Sequence, residues 1–171
     1  MIEQFLARVE RRAYRMAFIA SGSREDALDI VQDAMIKLVQ KYAERDEAEW
    51  GPLFHRIMQS HIRDWYRRNK IRNGLRSLLH WGDEGDPLDN LPSAKSWGPD
   101  DQLQADGAME QLDTAIHALP LRQQQAFLLR CWEGLDTAET AAAMGCSSGS
   151  VKTHYSRALT TLRHRLEGQQ L

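Results

Sequence analysis

Between Ser147 and Leu166 the sequence alternates two kinds of side chain at helical spacing. Val151, Tyr155, Ala158, Leu159, Leu162 and Leu166 fall on one side, and Ser148, Ser150, Lys152, Thr153, Ser156 and Arg157 on the other. Lys and Arg can meet phosphates and guanine edges, hydroxyls can meet either, and the small Ser148 and Gly149 allow close approach. That chemistry is recognition of DNA, with no bond made or broken. The six histidines form no HExxH motif, and neither a Ser or Cys nucleophile signature nor a phosphate-binding glycine loop is present. A small hydrolase is therefore disfavoured, and no enzyme activity, cofactor or small-molecule substrate is expected. Cys131 and Cys146 lack partners at zinc-like spacing, so they are expected to be two buried thiols and no metal site is implied.

The elements that must position this face are legible next to it. Asp136 and Glu139 have the form of a capping box, a short helix Thr137–Met144 follows, and Gly145 stands where a left-handed C-cap belongs. Ser147 then suits the N-cap of the next helix. Helix, tight glycine turn and helix make a helix-turn-helix, whose second helix enters the major groove by its N-terminal end. A stand-alone regulator carrying such a motif is the alternative reading.

A second recognition segment lies upstream. His55, Arg56, Arg63, Arg67, Arg68, Lys70 and Arg72 interleave with Trp65 and Tyr66, a pairing of phosphate attraction with faces on which unpaired bases can stack. Trp65 also lies on the apolar stripe of Phe54, Ile57, Met58, His61 and Ile62, in a helix opened by Gly51-Pro52 and running to about Arg72. Two helices precede it. The first joins Phe5, Leu6, Val9, Ala13, Met16 and Ala17. The second starts at a Ser23/Asp26 capping box and buries Ala27, Ile30, Val31, Ala34, Met35, Leu38, Val39 and Tyr42.

The 171 residues carry a formal charge of −2, with 42% hydrophobic and 27% charged residues, a composition suited to a folded core. The average conceals a strong asymmetry. Leu53 to Arg76 holds seven basic residues against Asp64, whereas Ser77 to Asp113 holds nine acidic residues against Lys95. Pro87, Pro92 and Pro99 with three glycines mark the acidic stretch as a linker. Four short helices are expected beyond it, two of them divided by Pro120. The expected fold is all-α: helical domains at 1–75 and 108–171, the latter a helix-turn-helix, joined by an acidic linker at 76–107. No apolar run is long enough to span a bilayer and no signal peptide is legible, so a cytoplasmic protein without membrane insertion is expected.

Nearly the whole chain resembles bacterial RNA polymerase sigma factors of the extracytoplasmic-function group. Arg24 to Leu38 is similar to region 2.1–2.2 of that family, which implies polymerase clamp binding by Asp29, Gln32 and Asp33. Leu53 to Arg68 resembles region 2.3–2.4, which implies reading and opening of the minus-10 element through Arg56, Ser60, Arg63, Asp64 and Arg67. The Arg45-to-Trp50 loop is expected to help hold the opened strand. Leu119 to Leu135 is similar to region 4.1, and Gly149 to Ala158 to the minus-35 recognition helix. Core RNA polymerase, promoter DNA and an anti-sigma factor are the partners this resemblance implies. Leu53-Phe54, Ser60, Met35, Thr140 and Ala143 depart from the family pattern.

Overall fold

The computed structural model describes residues 1–72 and 107–169, and among these the secondary structure is seven α-helices with no strand. The 76–107 linker lies outside the described residues except for Gly107, which is the first residue of a helix.

Helix α1 (Ile2–Ser21) continues four residues past Ala17, the last residue of its expected apolar stripe. Its stop signal is Gly22, at φ 70°, whose N–H reaches back to Phe18 O at 2.8 Å. The added turn carries Ile19 and Ala20 fully into the core. Ser23 caps α2 (Arg24–Tyr42), its hydroxyl accepting the Asp26 N–H at 3.3 Å. The other half of the expected capping box differs, because the Ser23 amide donates to Ser21 Oγ at 3.2 Å. Ala27, Ile30, Val31, Ala34 and Leu38 face the core as expected, whereas Val39 is exposed and lies with Leu28 and Ile36 on the outer side of α2.

Helix α3 (Glu47–Arg72) begins four residues before Gly51-Pro52, so Pro52 stands inside the helix rather than at its start. The cost of a proline there is a backbone hydrogen bond. Trp50 supplies the compensation: it is only 4% exposed, lies 5.9 Å from the Phe5 ring, and donates its indole N–H to Tyr42 O at 2.9 Å. Glu49 reaches back to the Asp46 amide at 3.3 Å and steadies the new N-terminus. The expected Arg45-to-Trp50 loop is thereby corrected, since Glu47 to Trp50 is helical and Trp50 belongs to the core.

Beyond the linker come α4 (Gly107–His117), α5 (Leu121–Cys131), α6 (Thr137–Met144) and α7 (Ser148–Gln169). Pro120 separates α4 from α5, where its missing N–H is harmless. The α1, α2 and α3 helices pack together, as do α5, α6 and α7, and the second group is seated on the first through α3 with α6 and α1 with α4 and α5. Asp113, the last of the acidic run in sequence, sits in α4, buried and paired with Arg15 at 3.3 Å. Neither thiol is buried: Cys131 is exposed and Cys146 half-buried.

Candidate nucleic-acid interface

The turn between α6 and α7 is built from local hydrogen bonds that the sequence dictates. Asp136 Oδ1 accepts the Glu139 N–H at 2.7 Å, and Glu139 Oε1 accepts the Asp136 N–H at 3.0 Å, closing the capping box. Gly145 is left-handed at φ 68°, and its N–H and that of Cys146 both reach Ala141 O. Ser147 Oγ then accepts the Ser150 N–H at 3.1 Å and starts α7. Thr140, an unusual polar occupant of this motif's core, donates to Asp136 O at 2.7 Å, so its buried hydroxyl is satisfied. An eight-residue helix depends on its caps, so Asp136→Ala is expected to lower stability by about 1 kcal/mol. A urea midpoint equal to that of the parent chain would show the cap to be idle.

Val151, Ala158 and Leu162 bury one face of α7 against α5 and α6. Tyr155 adds an anchor: its hydroxyl lies 3.4 Å from Cys131 Sγ and the Arg130 guanidinium lies over its ring at 5.4 Å. Its phenol is pushed above the usual range, first by the hydrogen bond to Cys131 and then by burial. The opposite face is open. Ser148, Gly149, Lys152, Thr153, Ser156, Arg157, Thr160 and Arg163 are all exposed. Two of the expected contact residues are partly engaged already, because Ser150 is half-buried with its Oγ accepting from Ser147 Oγ, and Thr153 donates to Gly149 O at 3.1 Å. At this position Thr153 keeps its acceptor lone pairs and its methyl for a base edge.

On α3, Arg56, Ser60, Asp64 and Arg67 are exposed and Arg63 is half-buried, recurring at three- and four-residue steps along one stripe. Arg67 lies 3.9 Å from Asp64, which orients the guanidinium along the helix surface. The aromatic expectation is partly inverted. Tyr66 is buried, and Trp65, meeting it edge-on at 5.3 Å, is half-buried, so only Trp65 keeps ring surface for a base. On α2, Asp29, Gln32 and Asp33 are exposed. Between α2 and α3, His61 is held below its usual range by burial and then by Lys37, so it is neutral at neutral pH.

Two features escaped sequence reasoning. Leu28, Ile36 and Val39 flank the acidic positions of α2 as exposed apolar side chains, a patch signalled only by their spacing opposite the core stripe. The second is the seam between the two helical groups, where Glu133 meets Arg12 and His55. No local pattern announces a contact between residues so far apart in the chain. Among the described residues no cluster of potential metal ligands occurs, and no helix is long and apolar enough to cross a membrane.

Residues 1–72 match the family described as Sigma-70 region 2, and residues 109–162 the family described as Sigma-70, region 4. The RNA polymerase sigma-E factor of Streptomyces antibioticus is 32% identical over 147 residues, which covers 85% of this chain and 73% of that one. The ECF RNA polymerase sigma factor SigF of Caulobacter vibrioides is 31% identical over 163 residues, 92% of this chain and 80% of that one. Among solved structures, the sigma factor RpoE in complex with the anti-sigma factor NepR from Bartonella quintana has a similar fold, with a TM-score of 0.64, 21% identity and 96% of each chain covered. With a region 2 match at its start, a region 4 match around its helix-turn-helix and relatives above 30% identity along most of its length, the chain belongs to the extracytoplasmic-function group of RNA polymerase sigma factors.

Proposed function

We propose that this sigma factor divides promoter recognition among three helical faces while it directs core RNA polymerase to its start sites. Asp29, Gln32 and Asp33 on α2 bind the polymerase clamp. Arg56, Ser60, Arg63, Asp64 and Arg67 on α3 contact the minus-10 element. Ser148, Ser150, Lys152, Thr153, Ser156 and Arg157 read the minus-35 element in duplex form. The N-terminal unit is placed at residues 1–75, the connection at 76–107 and the C-terminal unit at 108–171.

The observation that carries this reading is the open polar side of α7, set at the correct end of a capped helix-turn-helix with Lys152 and Arg157 free to reach a groove. Cations along α3 supply sequence-independent attraction to phosphates, and stacking on Trp65 can offset the few kcal/mol needed to extrude a base. The protein makes and breaks no bond, the catalytic metal belonging to the polymerase. It works in the cytoplasm, needs no cofactor or small-molecule substrate of its own, and binds an anti-sigma factor, the kind of partner with which the solved structure of similar fold is in complex. A stand-alone regulator is not favoured, because a lone helix-turn-helix leaves the region 2 match of residues 1–72 without a purpose.

Run-off transcription tests the reading directly. Core polymerase is combined with the chain on a pool of genomic promoter fragments, and discrete transcripts are expected only when the chain is added. Robust specific operator binding by the free chain, together with no chain-dependent transcript, would favour the regulator instead.

A further inference from the structure

We propose that the groove between α3 and α6 is a binding site for a small zwitterion, a free amino acid with a large apolar side chain. The site goes beyond promoter recognition, and only its consequence for transcription rests on the reading proposed above.

The groove has a volume of about 320 Å³. A single water needs only about 10–15 Å³ on the same measure, and ligand pockets begin near about 300 Å³, so the space suits a molecule of amino-acid size. Its walls are apolar: Pro52 and Leu53 on the α3 side, Leu135, Ala142 and Ala143 on the other. Arg56 stands on the α3 wall and Glu139 on the α6 wall. Both are exposed, and among the described residues they form no ion pair with each other or with any other group.

That charge pattern selects the ligand. Glu139 Oε1 already accepts the Asp136 N–H, which leaves Oε2 for an outside donor. His55 also lines the groove, and burial holds it below its usual range despite Glu133, so it adds a polar atom without adding charge at neutral pH. One cation and one carboxylate on facing walls complement a carboxylate and an ammonium carried on an apolar body. A plain anion would meet Glu139 unfavourably, and a plain cation would meet Arg56.

The backbone gives an independent sign that the space is kept open. Gly51 lines the groove from the second turn of α3, where no positive φ demands glycine. A Cβ added there would meet nothing within 4 Å, so close packing does not demand it either. Glycine is the weakest helix former after proline, and alanine would strengthen this turn. The chain therefore gives up stability at a residue whose one distinction is the groove, a loss common at binding sites. Leu53 and Ala143, on facing walls, are two of the positions that depart from the family pattern, so the shared task of promoter reading does not account for the space. A ligand carboxylate on Arg56 would draw that guanidinium away from the minus-10 element and lower initiation.

The test follows backbone amide resonances of the full chain by NMR as L-leucine, L-phenylalanine and L-tryptophan are added in turn. At least one is expected to give saturable shifts at Gly51, Leu53, Glu139 and Ala142, with a Kd between about 10 μM and about 1 mM. Its N-acetyl derivative, which lacks the ammonium, and its decarboxylated amine should each bind at least about tenfold more weakly. Ala142→Leu fills the groove and should abolish the shifts. Gly51→Ala should weaken binding by about threefold while raising the urea midpoint. Absence of saturable shifts with every probe up to about 10 mM overturns the site, as does equal binding of the N-acetyl derivative. A lowered midpoint in Gly51→Ala overturns it too, because the glycine would then serve the fold. Should Ala142→Leu fail to fold, the wild-type titrations and Gly51→Ala decide. Run-off transcription with and without the bound amino acid separates the two readings. Saturable binding with unchanged transcripts leaves the site standing and removes Arg56 from the minus-10 contacts, whereas chain-dependent transcripts without any binding sink the site alone.

Discussion

Lys152→Glu combined with Arg157→Glu is expected to reduce initiation at a minus-35-dependent promoter by about a hundredfold, taking each base or phosphate interaction as worth on the order of 1–3 kcal/mol. Both side chains are exposed on the open face of α7, and the helix is anchored from its other side by Val151, Ala158 and Leu162, so the fold should survive the change. Binding to core polymerase, measured by fluorescence anisotropy, should fall by less than about twofold, since the positions proposed to bind the clamp lie on α2 and the charge change is on another helix. The salt dependence should move as well, with the slope of log affinity on log salt shrinking by about 0.9 for each phosphate that is no longer neutralised. An equal loss of polymerase binding and initiation would remove the assignment of α7 to the minus-35 element.

How much of this molecule could be read from the chain follows from which forces are local. The capping box at Asp136 and Glu139, the left-handed Gly145 and the Ser147 cap depend on residues within four positions of one another, and each is found where the pattern puts it. The outward face of α7 was legible for the same reason, because a period of 3.6 assigns faces once the helix is bounded. Long-range packing overrode local preference elsewhere. Gly51-Pro52 is a strong start signal, but burial of Trp50 against Phe5 drew the helix back to Glu47. The choice between Trp65 and Tyr66 as the core aromatic was settled by the shape of the site between helices rather than by spacing. Asp113 is the clearest case: in sequence it closes an acidic run, while in the fold its partner is Arg15, 98 positions away. Of the candidate site residues on α2 and α3, all but the half-buried Arg63 are exposed, although composition alone gave no reason to look for Leu28, Ile36 and Val39 beside those on α2.

That apolar trio bears on the largest effect expected outside the DNA-reading helix. Asp29→Lys with Asp33→Lys should lower affinity for core polymerase by about a hundredfold or more, because reversal replaces each attraction at the proposed docking face with a repulsion. Both carboxylates are exposed on the side of α2 away from its core stripe, so circular dichroism should show unchanged helicity. Leu28 at 58% exposed and Ile36 at 48% lie beside them, and in the proposed docking such apolar contacts would supply affinity while the acidic pair would set orientation and on-rate. The two contributions separate in kinetics. Charge reversal should act mainly on association and weaken as salt is raised, whereas Ile36→Ser should leave the salt dependence alone and speed dissociation. If polymerase binding by the Asp29→Lys, Asp33→Lys chain stays within about twofold of the parent at low salt, docking must use another face, and the exposed seam residues Arg12 and Arg15 become the next surface to test.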